Sequence, residues 1–157
     1  IGHRTINETE QLKLKLYNII EKLIIEENVD TFLFGSKSRF NDLCYELVTE
    51  IKGKYPHIKR IYVRAEYPHI NDDYKTYLLQ GYEDTYYPDN TIGAGKAAYV
   101  KRNFEMIKCS RFCIFYYDES YNPKSRKSGT KIAFEYAQRF KKEIINIANG
   151  QEVCYNN

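Results

Sequence analysis

Residues 31–48 read TFLFGSKSRFNDLCYELV. A short apolar run stops at Gly35. Ser36, Lys37, Ser38 and Arg39 follow, all small or basic. Then Phe40, Leu43, Cys44, Leu47, Val48 and Ile51 recur at i, i+3, i+4, i+7, i+8 and i+11. An unbroken apolar run of this length suits a strand buried on both faces, and the recurrence is that of one helix face. The stretch therefore predicts strand, turn, helix. At the junction Gly35 permits a tight bend and Ser36 or Ser38 can cap the helix. A helix start also presents free N–H groups that favour a bound anion, so turn and phosphate cradle are both open readings.

The same alternation extends along the chain. Leu12, Leu16, Ile19, Ile20 and Leu23 predict a first helix, with Asn7 and Glu10 spaced as a capping box. KRIYVRAE (59–66) reads as a strand, NDDYKTYLLQ (71–80) as a short helix stopped at Gly81, and EDTYY (83–87) as a strand. GAGKAAYVKRNFEMIK (93–108) is helical, with Ala97, Val100, Phe104 and Ile107 sharing a face. RFCIFYYD (111–118) is the most apolar strand. Ile132, Ala133, Tyr136, Ala137 and Phe140 mark a late helix, and EIINI (143–147) closes the pattern. IGHR at the start reads as the tail of a first strand. Apolar strands separated by amphipathic helices predict an α/β fold: one doubly wound, mostly parallel sheet of about six strands, Rossmann-like, with helices on both faces. A single domain is expected over 1–150, with 151–157 a loose polar tail.

Composition narrows the function classes. The 157 residues are 43% apolar and 29% charged, with a net charge of +3, which is too small a surplus to point to nucleic acid. No apolar run approaches the ~18 residues of a membrane span, and no basic-then-apolar leader is visible, so a cytoplasmic protein is expected. Cys44, Cys109, Cys113 and Cys154 form no CxxC pair and have no zinc spacing with His3, His57 or His69. Reduced thiols, no metal and no cofactor are the expectation. The 16 tyrosines and absent tryptophan suggest polar-tipped contact surfaces, a ligand pocket or a subunit interface. The tyrosine-rich stretch 67–87 exceeds what a simple crossover needs. That suggests a homo-oligomer, or else a helix and edge strand packed on the same core.

In open parallel sheets ligands bind beyond the carboxyl ends of the strands. The residues found there are Gly2, His3 and Arg4; Gly35, Ser36 and Lys37; Arg64 and Glu66; Asp118; and Gly129 and Thr130. Glycine, hydroxyl and basic groups suit phosphate, with Glu66 or Asp118 available for a ribose hydroxyl. The pattern matches neither GxxxxGK[ST] nor GxGxxG.

IGHR, FGSKSRFNDLCYE, VKRNFEMIKCSRFCIFYYDE and SGTKIAFEYA occur in that order. Together they resemble the YpsA-like branch of the SLOG superfamily over nearly the whole chain. That branch has a T-G-H-R-like opening, a small-residue turn followed by an aromatic, an R-N-x-x-M helix and a G-G-T turn. The resemblance implies ligand contacts from Gly2, His3, Arg4, Gly35, Ser36, Phe40, Arg102, Asn103, Met106, Gly129 and Thr130. Ser128 stands where the first glycine of G-G-T is usual, and Lys37 where a small residue is common. Without the resemblance, a mid-helix arginine such as Arg102 reads as solvated.

The chain is more distantly similar to LOG phosphoribohydrolases, whose signature glutamate assists N-glycosidic cleavage. Ala133 occupies that position here. Glu135, two residues on, is turned by about 200° around the helix, so LOG-like hydrolysis is not expected. SLOG domains are similar to sensors of ADP-ribose or cyclic-ADP-ribose-like signals in anti-phage systems. The resemblance therefore implies a nucleotide-like small-molecule partner, sensed or sequestered. The alternatives are an enzyme acting on a nucleoside phosphate and, through similarity to DprA, a single-stranded nucleic-acid binder using the basic loop NPKSRKSG (122–129).

Overall fold

β1 (Thr31–Phe34), β2 (Lys59–Val63) and β3 (Asp84–Tyr86) form a parallel sheet in that order, with Phe32 opposite Arg60 and Ile61 opposite Asp84. The computed structural model describes residues 1–67, 69–120, 128–148 and 153–155. A second sheet holds β4 (Phe112–Phe115), β5 (Glu143–Asn146) and β6 (Val153–Tyr155). β4 and β5 run parallel, and β6 returns antiparallel to β5, with Cys154 opposite Ile145. The predicted loose tail is thus corrected at 153–155, where the backbone groups of β5's outer edge take a partner.

The expected six-stranded layer is likewise found as two three-stranded sheets. Ile1–His3 explains the division. It lies parallel to β4 through a Gly2–Tyr116 bridge, with Tyr116 N donating to Ile1 O at 3.1 Å and His3 N to Tyr116 O at 3.3 Å. No ladder joins it to β1.

Helices cover both faces. α1 (Glu10–Glu26) and α2 (Arg39–Lys54) pack their predicted stripes on one side, where Phe34, Tyr62, Phe112, Ile114 and Tyr116 meet Leu16, Ile20, Leu43 and Val48. On the other side Cys113, Phe115 and Tyr117 meet α4 (Ala98–Cys109) and α5 (Gly129–Arg139) through Ile107, Ala133, Phe134 and Ala137. The alternation along residues 112–117 is the period of two that a strand imposes. α3 (Asp72–Leu78) buries Leu78 in the first core with Tyr74 and Tyr82. The 67–87 stretch is thus a helix and edge strand on the same core.

Local chemistry places the helix ends. The first helix is capped by Thr9, whose hydroxyl accepts from Leu12 N, and not by Asn7, whose own N–H goes to Tyr116 Oη. Gly53 lies inside α2, which ends at Lys54 ahead of Tyr55–Pro56. On α4 the buried residues are Ala98, Arg102, Met106 and Ile107. The stripe is rotated from the predicted one and carries an arginine, while Phe104 instead stacks on Tyr136 at 3.9 Å. Among the described residues no helix is long and apolar enough to cross a membrane.

Candidate ligand-binding site

The C-terminal ends of β1 and β2 meet the buried face of α4 at Gly35. A Cβ at this position would lie 2.7 Å from Arg102 Cδ, 2.7 Å from the Val63 carbonyl oxygen and 3.0 Å from Met106 Sδ. Glycine is required here by space, because any side chain would push the arginine stem and the next strand away. The sequence thus brings together Gly35, Arg102 and Met106 from its predicted set.

Arg102 is only 6% exposed. Its Nε donates to Asn103 Oδ1 at 3.1 Å, and among the described residues no carboxylate pairs with it. Burial pulls its pKa down, opposed by the neighbouring Tyr62, Tyr99 and Tyr74. A guanidinium stays charged even so. A desolvated cation without a counter-charge is costly, and such a group beside a cleft marks a place where an anion gains from binding.

A cleft of about 400 Å³ is lined by tyrosines 45, 62, 74, 77 and 82 together with Ser36, Lys37, Asn41 and Asp42, and two of those tyrosines, Tyr62 and Tyr74, also neighbour the Arg102 guanidinium. The rings brace one another. Tyr45 and Tyr82 lie 4.7 Å apart, Tyr62 and Tyr82 5.3 Å, and Tyr74 stacks on Tyr77. Tyr45 Oη donates to Gly81 O at 2.7 Å, and Tyr74 Oη to Tyr62 Oη at 3.4 Å. Burial raises the pKa of Tyr62 and Tyr82, so both hydroxyls remain protonated donors. Flat aromatic walls with a few polar tips suit a planar ligand carrying negative charge.

Several expected contacts are already engaged elsewhere. The N–H groups of Gly35 and Ser36, read as a phosphate cradle, donate to Asn41 Oδ1 at 3.3 and 3.4 Å. Ser38 caps α2, its hydroxyl accepting from Asn41 N. Phe40 is corrected from ligand contact to core: it is fully buried, its ring 5.7 Å from that of Tyr116 and pressed against Gly2, where a Cβ would come within 2.5 Å. Arg64 and Glu66, expected to take phosphate and ribose, close on each other through two 2.9 Å hydrogen bonds. Arg64 also donates to Asn71 O at 2.7 Å. Together they fasten the start of α3 to the end of β2.

His3 is buried. Its Nε2 accepts from Asp118 N at 3.0 Å, which ties the amino-terminal segment to the end of β4, and burial lowers its pKa. Asp118 Oδ1 accepts from Ser120 N and Oγ. Arg4 and Lys37 are exposed cations. Ser128 caps α5, accepting from Lys131 N at 3.1 Å. Thr130 is buried, and among the described residues nothing lies within 4 Å of a Cβ placed at Gly129. Ala133 is buried at the LOG acid position and Glu135 is exposed. Of the basic loop 122–129, residues 122–127 lie outside the described residues.

Sequence reasoning missed Asn41 and the cleft tyrosines 45, 62, 74, 77 and 82 as individual site residues. Tyrosine abundance was the signal for the five rings. An asparagine three residues after a capping serine, beside a glycine turn, was the signal for Asn41. No family model matches the chain, and no curated protein matches it.

Proposed function

We propose that the chain is a binding module for a small anionic ligand of nucleotide type, sensed or sequestered rather than turned over. Arg102 carries this reading: a buried guanidinium with one side-chain hydrogen bond and no carboxylate partner among the described residues, neighbouring Tyr62 and Tyr74, which also line the tyrosine cleft. The anion pairs with Arg102 and with Lys37 at the rim, and a base stacks among the tyrosines. The resemblance to YpsA-like SLOG domains favours ADP-ribose or cyclic-ADP-ribose-like compounds, and a Rossmann-like layer of about six strands in a cytoplasmic, homo-oligomeric protein of anti-phage signalling. Glu66 is held by Arg64 and Ala133 stands at the LOG acid position, which favours binding over N-glycosidic cleavage.

The test is thermal unfolding with ADP-ribose, cyclic ADP-ribose, AMP and NAD at millimolar concentration, for the chain and its Arg102→Met variant. A ligand seen only by the folded state at about a hundredfold excess over Kd adds about 2.7 kcal/mol, several degrees in midpoint for a chain of this size. The expected result is a shift in the chain that is absent in the variant. No shift with any of the four compounds refutes the reading.

A further inference from the structure

A second cavity lies apart from the tyrosine cleft. It encloses about 450 Å³ between the two sheets, and its walls are mainly apolar: Phe32 and Leu33 of β1, Phe112 and Ile114 of β4, Leu23 of α1 and Ile107 of α4. Two strands line its opposite sides, each with an unused edge. Among the described residues β1 is laddered to β2 alone, and the edge of β4 away from β5 is met only by Ile1–His3, whose bonds reach from Ile114 to Tyr116. Unpaired strand edges inside a covered layer are rare, because every buried backbone group needs a partner.

Ile1 stands at the mouth of this cavity and lines it. Its α-ammonium is buried, hydrogen-bonded to Ile114 O at 2.8 Å, and desolvation lowers its pKa. That nitrogen sits where a strand amide would make the next rung of a parallel ladder. The direction is fixed too, since the Gly2–Tyr116 bridge is parallel.

We propose that the cavity between β1 and β4 seats one further parallel β-strand, four or five apolar residues long and joined in line to Ile1, which pairs with both edges and makes the two sheets one. Length follows from its neighbours, as β1 and β4 have four residues each. Composition follows from the walls, which are apolar on both faces, so an unbroken run of Val, Ile, Leu or Ala fits and an alternating one does not. This inference concerns the centre of the sheet and is independent of the ligand proposed above.

The experiment compares three proteins: the 157-residue chain, the chain preceded by Lys-Ile-Ile-Ala-Val, and the chain preceded by Gly-Ser-Gly-Ser-Gly. Thermal midpoints and amide hydrogen exchange at Phe32–Phe34 and Phe112–Ile114 are read for each. The expected result is a midpoint higher by more than about 5 °C and exchange slowed by more than about tenfold on both edges in the apolar extension alone. Equal midpoints and equal exchange for the two extensions overturn the proposal. So does a 157-residue chain whose β1 and β4 edges are already protected in a dimer, because the occupant is then a second copy. A second apolar extension, Lys-Val-Val-Ala-Ile, guards against a misfolded first one and must reproduce its protection.

Discussion

The stem of Arg102 lies where a side chain on residue 35 would have to go. Its Cδ is 2.7 Å from the Cβ position of Gly35. Turn and ligand group are therefore one arrangement: the glycine that ends β1 makes the room in which α4 holds its buried guanidinium.

Gly35→Ala is expected to destabilise the fold by about 1–3 kcal/mol, the usual cost of overpacking a filled site. Urea unfolding measures it. Combining it with Arg102→Ala is expected to recover only part of the loss, because the Val63 carbonyl oxygen, a backbone atom 2.7 Å away, still obstructs the methyl group. Full recovery in the double variant contradicts the crowding described here.

Arg102→Met should separate stability from binding. Methionine keeps much of the stem and removes a desolvated charge that has no carboxylate partner among the described residues. Stability without ligand is expected to hold or rise by about 1 kcal/mol, while affinity for an anionic ligand falls by more than about a hundredfold. Calorimetric titration and denaturant unfolding read the two effects. A variant that loses stability and binding together points to a structural role for the arginine.

Asn41→Ala leaves the N–H groups of Gly35 and Ser36 without their acceptor and is expected to cost about 1–2 kcal/mol. Asn41→Asp keeps an acceptor in the same place. It should restore most of that stability, yet weaken anion binding by placing negative charge at the rim. Unfolding midpoints and ligand titrations on the two variants give opposite rank orders if this account holds.

Acid should act in two stages. Burial holds the folded-state pKa of His3 below its ordinary value of 6.5, so the unfolded chain binds the extra proton first. This contribution is complete above pH 6.5 and is lost as pH falls toward the depressed value. Arg60 holds Glu83 at about 2, against an ordinary 4.5, through a two-pronged contact at 2.7 and 3.1 Å. Its contribution is present above pH 4.5 and is lost between there and about 2. Stability measured against pH is expected to fall in both windows. His3→Gln should flatten the first and Glu83→Gln the second. A single slope unchanged by either variant rejects the assignment.

Elements whose partners are periodic in the sequence were legible in it. The runs at 31–34, 59–63 and 112–115 became strands, and the stripe beginning at Phe40 became the buried face of α2. What stayed hidden depended on side-chain partners, near or far along the chain, that periodicity does not show. Arg64 and Glu66 looked like ligand groups because each was read alone, whereas an extended backbone lets their side chains meet. α4 was assigned the wrong face because its Phe104 finds a surface partner in Tyr136 while Arg102 turns inward. That inversion of hydrophobic order is visible only once the neighbouring strands are in place. The pairing of 153–155 with β5 was hidden for a similar reason, since three residues carry too little pattern to be read as a strand.

The braced tyrosines of the cleft have an optical consequence. The chain has no tryptophan to mask them, and Tyr45, Tyr62, Tyr74, Tyr77 and Tyr82 sit in fixed mutual orientations. Near-ultraviolet circular dichroism and phenol emission therefore report chiefly on ordered rings such as these, and a guest slipped between them would announce itself without any added dye.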